Sequence, residues 1–158
     1  PHCLNSLKNE SPEFGVYLEV VHHSELLETL ITDGKISAPK TINSNNVVIH
    51  DSCYLGRHNK IYDAPREVLK STTKTESIHE AEQNRESGTC CGAGGSRFLL
   101  EENTGTRMSH HRLDELMTTN PETIAVSCPY CVLMLEDAVK ARGLQEKVKV
   151  RDIGEMIK

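Results

Sequence analysis

Six cysteines stand at positions 3, 53, 90, 91, 128 and 131 of the 158-residue chain, and their spacing gives them chemical meaning. Cys90 and Cys91 are adjacent, Cys128 and Cys131 enclose Pro129-Tyr130, and the intervals 54–89 and 92–127 are equal in length. Thiolates are soft ligands that suit iron–sulfur clusters, zinc or copper(I), and a cluster of several irons needs more of them than one tetrahedral ion does. Five clustered thiols, Cys53, Cys90, Cys91, Cys128 and Cys131, are one too many for a mononuclear zinc site. A disulfide framework is the poorer reading, because stapled mini-proteins are secreted, loop-rich and denser in cysteine.

Other groups near these cysteines have competing explanations. Gly92-Ala93-Gly94-Gly95 lacks the Gly-Lys-Ser/Thr ending of a phosphate loop and does not match Gly-x-Gly-x-x-Gly. Small residues there, Gly92 first, would instead let backbone N–H groups approach a metal-bound sulfur. The pairs His22-His23 and His110-His111 have no ligand spacing and are read as solvated or locally bonded. His50 and Asp51, just before Cys53, are candidates for hydrogen bonding behind the ligands. Arg57, Arg66, Arg97 and Arg107 flank the same regions and raise the idea of docking an acidic partner or substrate.

The elements that must position these residues are legible from apolar patterning. Val47-Val48-Ile49-His50 is a short continuous apolar run that reads as a buried strand and delivers the chain to Asp51-Ser52-Cys53. Thr123-Ile124-Ala125-Val126 repeats the arrangement before Cys128. Pro129 then suits the first turn of a helix whose apolar face runs through Val132, Leu133, Leu135, Ala138 and Val139 to Gly143. Elsewhere Tyr17–Val21 reads as a strand. A helix with Ser24 as its cap carries Leu26, Leu27, Leu30 and Ile31 to a stop at Gly34. After a loop containing Gly56, residues 64–70 read as a helix with Pro65 in its first turn, and 77–80 as a strand. Phe98-Leu99-Leu100 starts a helical segment, Thr106–Met117 is a second, Val148–Val150 is the last strand and Ile153–Ile157 the last helix. Helix N-termini are expected just beyond Cys91 and Cys128. Strands alternating with helices predict an α/β fold, a mostly parallel sheet flanked by helices.

Pro1-His2-Cys3-Leu4-Asn5-Ser6-Leu7 echoes Pro129-Tyr130-Cys131-Val132-Leu133-Met134-Leu135, and Glu25-Leu26-Leu27 answers Glu155-Met156-Ile157. With no initiator Met or leader before Pro1, the expectation is an excised piece. Its residues 1–34 would be the tail of a preceding repeat packed on the rest, 35–46 a linker and 47–158 a complete domain. Cys3 would then belong to a second, truncated site.

Composition excludes several classes. With 37% hydrophobic, 26% charged and 4% aromatic residues the chain is an ordinary globular one, and no stretch approaches the roughly 18 apolar residues that span a bilayer. A net charge of −5, with 18 Lys and Arg scattered among 23 acids, argues against nucleic acid as a partner.

The order Cys, Cys-Cys-Gly, Cys-x-x-Cys resembles the cysteine-rich CCG domain of heterodisulfide reductase and of the iron–sulfur subunits of glycolate oxidase and related respiratory proteins. The flanks Asp51-Ser52-Cys53-Tyr54-Leu55-Gly56-Arg57, Tyr62-Asp63-Ala64-Pro65-Arg66 and Cys90-Cys91-Gly92-Ala93-Gly94-Gly95 are similar to those in the carboxy-terminal halves of heterodisulfide-reductase-like oxidoreductases. The resemblance implies that Cys53, Cys90, Cys91, Cys128 and Cys131 are the five ligands of a non-cubane [4Fe-4S]-type cluster in an electron-transfer domain. It further implies a cytoplasmic protein, active only with other redox subunits or domains such as a flavoprotein or a ferredoxin-like domain, with a quinone or a disulfide as acceptor. Membrane attachment would come through parts or partners outside this chain. Two other readings of the cysteines stay open in the sequence: a structural zinc-binding interaction module, and a metal-free thiol–disulfide oxidoreductase.

Overall fold

Strands read as continuous apolar runs must be covered on both faces, and the two expected beside the cysteines are. In the computed structural model, which describes residues 1–38, 46–74, 77–100 and 104–157, β1 (Val47–Ile49) and β3 (Thr123–Val126) are buried at every position. They pair in parallel with Val47 opposite Thr123 and Ile49 opposite Ala125. β2 (Ile78–Glu80) lies on the other side of β1, and β4 (Lys149–Asp152) on the other side of β3. The sheet order is β2-β1-β3-β4, parallel throughout, so the chain has the expected α/β fold.

The alternation of side chains along a strand divides each run between two cores. Val47, Ile49 and Ala125 face α2 (His23–Thr32) and α4 (Asp63–Thr72), packing on Val68 and Leu69 with Leu27, Ile31 and the closing turn residues Ile153 and Met156. Val48, Ile124 and Val126 face the opposite way, onto Leu113 and Leu116 of α5 (Met108–Met117) and Leu135, Ala138 and Val139 of α6 (Pro129–Ala141). The helix stops also follow the sequence. Gly34 adopts φ 67°, and the N–H groups of Gly34 and Lys35 return to the carbonyls of Ile31 and Leu30. No helix among the described residues is long and apolar enough to cross a membrane.

Several local expectations fail for identifiable reasons. Residues 17–21 form no strand: Tyr17 is 81% and Val21 56% exposed, and β-branched residues make a strand only where a neighbour takes their backbone hydrogen bonds. The cap of α2 is His22 rather than Ser24. Its Nδ1 accepts from the Ser24 N–H, and Glu25 returns to the His22 N–H to close a capping box. Arg97–Leu99 is a single 3-10 turn with Leu99 and Leu100 exposed, so no helix starts there. β4 begins and ends later than expected, and the last helix is the 3-10 turn Ile153–Met156. Residues 39–45 of the expected linker lie outside the described residues.

Pro1–Leu7 begins with α1 (His2–Asn5), and Asp152 with Glu155 repeats the capping box of His22 with Glu25. The two boxes meet, His23 Nε2 lying 3.2 Å from Asp152 Oδ1.

The segment around Gly56 is the most consequential difference, because it is a helix, α3 (Cys53–Asn59), and not a loop. Glycine marks a close approach here: a Cβ at position 56 would overlap the Tyr62 ring, standing 2.9 Å from its Cδ1. Gly56→Ala is therefore expected to destabilise the fold by about 1–3 kcal/mol through overpacking, against the small gain alanine gives an unobstructed helix. Urea denaturation of the variant measures it, and an unchanged or higher midpoint would refute the packing account.

Candidate metal centre

An open parallel sheet leaves a crevice beyond its carboxyl ends where neighbouring strands send the chain in opposite directions. That point lies between β1 and β3, since β1 leads to β2 on one side and β3 to β4 on the other. Cys53 opens α3 just past β1, Cys128 caps α6 just past β3, and Cys131 follows in the first turn of α6. The loop carrying Cys90 and Cys91, between β2 and α5, closes over the same crevice. All five line one pocket, together with Ser52, Tyr54, Ala93, Gly94, Tyr130 and His2 of α1. Cys131 Sγ lies 3.3 Å from Cys91 Sγ, and Cys53 Sγ lies 4.0 Å from Cys90 Sγ. Every cysteine is a free thiol. Cys91, Cys128 and Cys131 are buried, Cys53 and Cys90 half-buried, whereas Cys3 is exposed and does not line the pocket.

Thiols packed this closely cannot ionise independently. The Cys53 and Cys91 thiols donate toward Cys90 and, with the Gly92 N–H, bring it down to about 2 despite burial. Cys128 is drawn down to about 6 by the Cys131 thiol and, against burial, by the backbone N–H groups of Cys131 and Tyr130 at the start of α6. The others pay for this in the opposite direction. Cys91 gains from the Cys131 thiol, but donation to Cys90 and burial push it up to about 12. Cys53 and Cys131 are pushed far up by donating to their neighbours and by burial. A set of five sulfurs that resist joint ionisation in isolation is relieved by multivalent cations, which suits a thiolate-bound metal centre. The residues present therefore fit a polynuclear metal–sulfur group.

The expectation of a helix N-terminus just beyond Cys91 is not met. Cys91 is followed by Gly92 at φ 89°, and among the described residues the next α-helix starts at Met108. The helix N-termini at this centre belong to α3 and α6 instead. Gly92 does place its N–H 3.3 Å from Cys90 Sγ, and a Cβ there would stand 2.9 Å from Met108 Cβ. The glycine thus serves both the sulfur contact and the packing of the loop on α5.

Behind the thiols lies an ionic frame. Arg66, buried to 5% exposure, binds Asp51 with Nη1 and Nη2 at 2.8 and 3.0 Å and Glu80 with Nε and Nη2 at 2.7 Å each. Asp51 also accepts the Arg85 N–H at 2.7 Å. Arg57 Nη2 donates to the Gly88 carbonyl at 2.6 Å, and Arg107 pairs with Asp137 at 3.0 Å. Arg66 is thereby committed inside the fold and has no free face for docking an acidic partner. Thr89, next to Cys90, donates to Glu115 of α5 at 2.8 Å.

Sequence reasoning missed Arg112, His2, Tyr54 and Tyr130. Arg112 is fully buried, and its signal was a charge on the same stripe of α5 as Leu113 and Leu116. His2 stacks on Tyr54 with ring centroids 4.0 Å apart and meets Tyr130 edge-on at 5.0 Å, so aromatic rings form the outer wall of the thiol pocket. The pairs His22-His23 and His110-His111 do not line the pocket.

The model of the cysteine-rich CCG domain matches residues 47–136. The chain is 43% identical, over 99% of its length, to the "Probable iron-sulfur-binding oxidoreductase FadF" of Bacillus subtilis (strain 168), and 42% identical, over 99%, to the "EtfAB:quinone oxidoreductase" of Syntrophomonas wolfei. It is 33% identical, over 88% of its length, to a subunit of the dihydromethanophenazine:CoB--CoM heterodisulfide reductase of Methanosarcina barkeri. The chain spans 22%, 22% and 33% of these relatives, respectively.

Proposed function

This chain belongs to the cysteine-rich CCG domain family, and from that premise we propose that it is the cluster-binding electron-transfer domain of a larger iron–sulfur oxidoreductase. Cys53, Cys90, Cys91, Cys128 and Cys131 are its ligands, and the cluster is of the non-cubane [4Fe-4S] type. The observation that carries this reading is the convergence of five free thiols in one pocket at the switch point of the sheet. When bound, such a cluster supplies reversible one-electron storage. The protein's own part is to hold the sulfurs on rigid strand and helix ends, to aim the Gly92 N–H at Cys90, and to limit water with the His2, Tyr54 and Tyr130 rings.

Residues 47–158 form the complete domain on this reading, and residues 1–34 are related to its carboxyl-terminal part, which the paired capping boxes support. Partners are other redox subunits or domains, including a flavoprotein or ferredoxin-like domain, and the final acceptor is a quinone or a disulfide. The relatives' names bear both acceptors. Free thiols fit a reducing compartment, so the proposed location is cytoplasmic, at the inner face of a membrane through its partners.

Anaerobic reconstitution with iron and sulfide, followed by EPR during a reductive titration, tests the electron-transfer role. The expected result is a brown protein whose paramagnetic signal appears in one oxidation state and disappears reversibly in the other. A reconstituted protein that is colourless and EPR-silent at every potential would refute it.

A further inference from the structure

The imidazole of His50 is buried directly beside the thiols, and its surroundings determine which of its nitrogens carries the proton. Its Nδ1 lies 3.1 Å from Nε of Arg112. A guanidinium keeps all its protons and can only donate, so Nδ1 must offer its lone pair and the ring proton resides on Nε2. Arg112 cannot move away to change this. It is fully buried, and Nη1 is tied at 2.8 Å to both the Gln83 carbonyl and Glu115 Oε2.

Nε2 of His50 is itself buried and, among the described residues, has no hydrogen-bond partner. The ring stands with a nitrogen within 4.8 Å of both Cys91 Sγ and Cys131 Sγ. With Nδ1 occupied by Arg112, Nε2 is the nitrogen left to serve them. Buried N–H groups are almost always satisfied in folded proteins, and sulfur is the acceptor at hand.

We propose that His50 donates its Nε2–H to a sulfur of the centre held by Cys91 and Cys131, and that Arg112 fixes the tautomer that makes His50 a donor instead of an iron ligand. The inference rests on the five cysteines being cluster ligands. No bond is made or broken in this role. An N–H donor backed by a buried cation stabilises the more negative, reduced form of a thiolate-bound cluster and so raises its reduction potential. His50 is a positioning residue for the sulfur's charge, and Arg112 acts through it.

The test uses the anaerobically reconstituted chain, with iron and sulfide counted first. A wild type that takes up no cluster is a failure of the ligand assignment, separate from a failure of this inference. With the cluster in place, His50→Phe is expected to lower the reduced-to-oxidised ratio at fixed potential by at least ten-fold, a shift of about 59 mV for a one-electron couple. His50→Gln, which keeps an N–H donor, recovers most of that shift, and both variants, reconstituted with iron and sulfide in excess so that a weaker site still fills, hold as much iron as the wild type. A second measurement needs no change at position 50. In protein labelled with 15N-histidine, the paramagnetic cluster couples to one histidine N–H with an exchangeable proton, and the coupling persists in His2→Phe, which removes the histidine that lines the thiol pocket. The inference is overturned by an unchanged potential in iron-replete His50→Phe, by loss of iron in folded His50→Gln, or by a wild type without that coupling. A directly bonded histidine nitrogen with no exchangeable proton overturns it as well.

Discussion

Cys131→Ser is expected to abolish cluster binding, while Cys3→Ser leaves iron and sulfide per chain unchanged. Cys131 is 2% exposed in the first turn of α6, with its sulfur 3.3 Å from Cys91 Sγ, at the junction of the Cys90-Cys91 loop with the β3–α6 corner. Serine nearly preserves volume, so the core formed with Leu135 and Ala138 should persist, but its oxygen is a hard donor that stays protonated where a thiolate is needed. Loss of an outer hydrogen-bond partner costs about 10–100-fold in metal affinity, and loss of a ligand costs more. Cys3 is exposed and outside the pocket, which makes it the matched control. Iron and sulfide assays after identical reconstitution, with circular dichroism to verify folding, decide the matter. Full cluster content in Cys131→Ser, or its loss in Cys3→Ser, would show that the ligand set has been misassigned.

Arg66→Leu should carry the largest purely structural penalty, about 3–5 kcal/mol at neutral pH, because it strands a buried charge. The Asp51 side chain is 6% exposed and loses both guanidinium contacts, whereas Glu80, at 39%, can turn to solvent and adds little. The pH dependence gives the cause away. Burial pushes the Asp51 carboxyl up, but Arg66 and the Arg85 N–H outweigh it and hold it below the usual carboxylate range. A depressed folded value contributes stability that is present above the unfolded value of about 3.9 and lost as pH falls through the folded one. In Arg66→Leu burial is opposed only by the Arg85 N–H and His50, so the deficit relative to wild type should shrink as the pH is lowered into the carboxylate range. Urea denaturation at neutral and mildly acidic pH measures this. A deficit that stays constant would assign the loss to packing instead of charge. Because Asp51 leads directly into Ser52-Cys53, the variant should also bind iron about 10–100-fold more weakly.

The sheet was legible because its central strands are continuous apolar runs, and a run buried on both faces needs no knowledge of its partners to be recognised. The same holds for α6 in its proline, its terminal glycine and Leu135, Ala138 and Val139 of its apolar face, whereas Leu133 of the expected face is exposed and Met134 is buried instead. Tyr17–Val21 misled because strand formation depends on a neighbour that patterning does not reveal. Gly56 misled because its reason lies across space, in the ring of Tyr62, and a glycine read alone suggests a loop. At the site, the cysteine spacing pointed to the residues that converge, but not to what holds them. Arg66 stood out only as a docking candidate and Arg112 not at all, and burial shows one fastened to Asp51 and the other to His50. A buried arginine is visible in sequence only as a charge interrupting an apolar helical face, as Arg112 does beside Leu113 and Leu116, and many solvated arginines look the same.

These five thiols are expected to bind a polynuclear iron–sulfur group and not a single ion. Determination of iron, acid-labile sulfide and zinc in the folded chain after anaerobic reconstitution in the presence of all three tests it most directly. Several irons with matching sulfide and no stoichiometric zinc are expected. One zinc per chain, without sulfide, would contradict it.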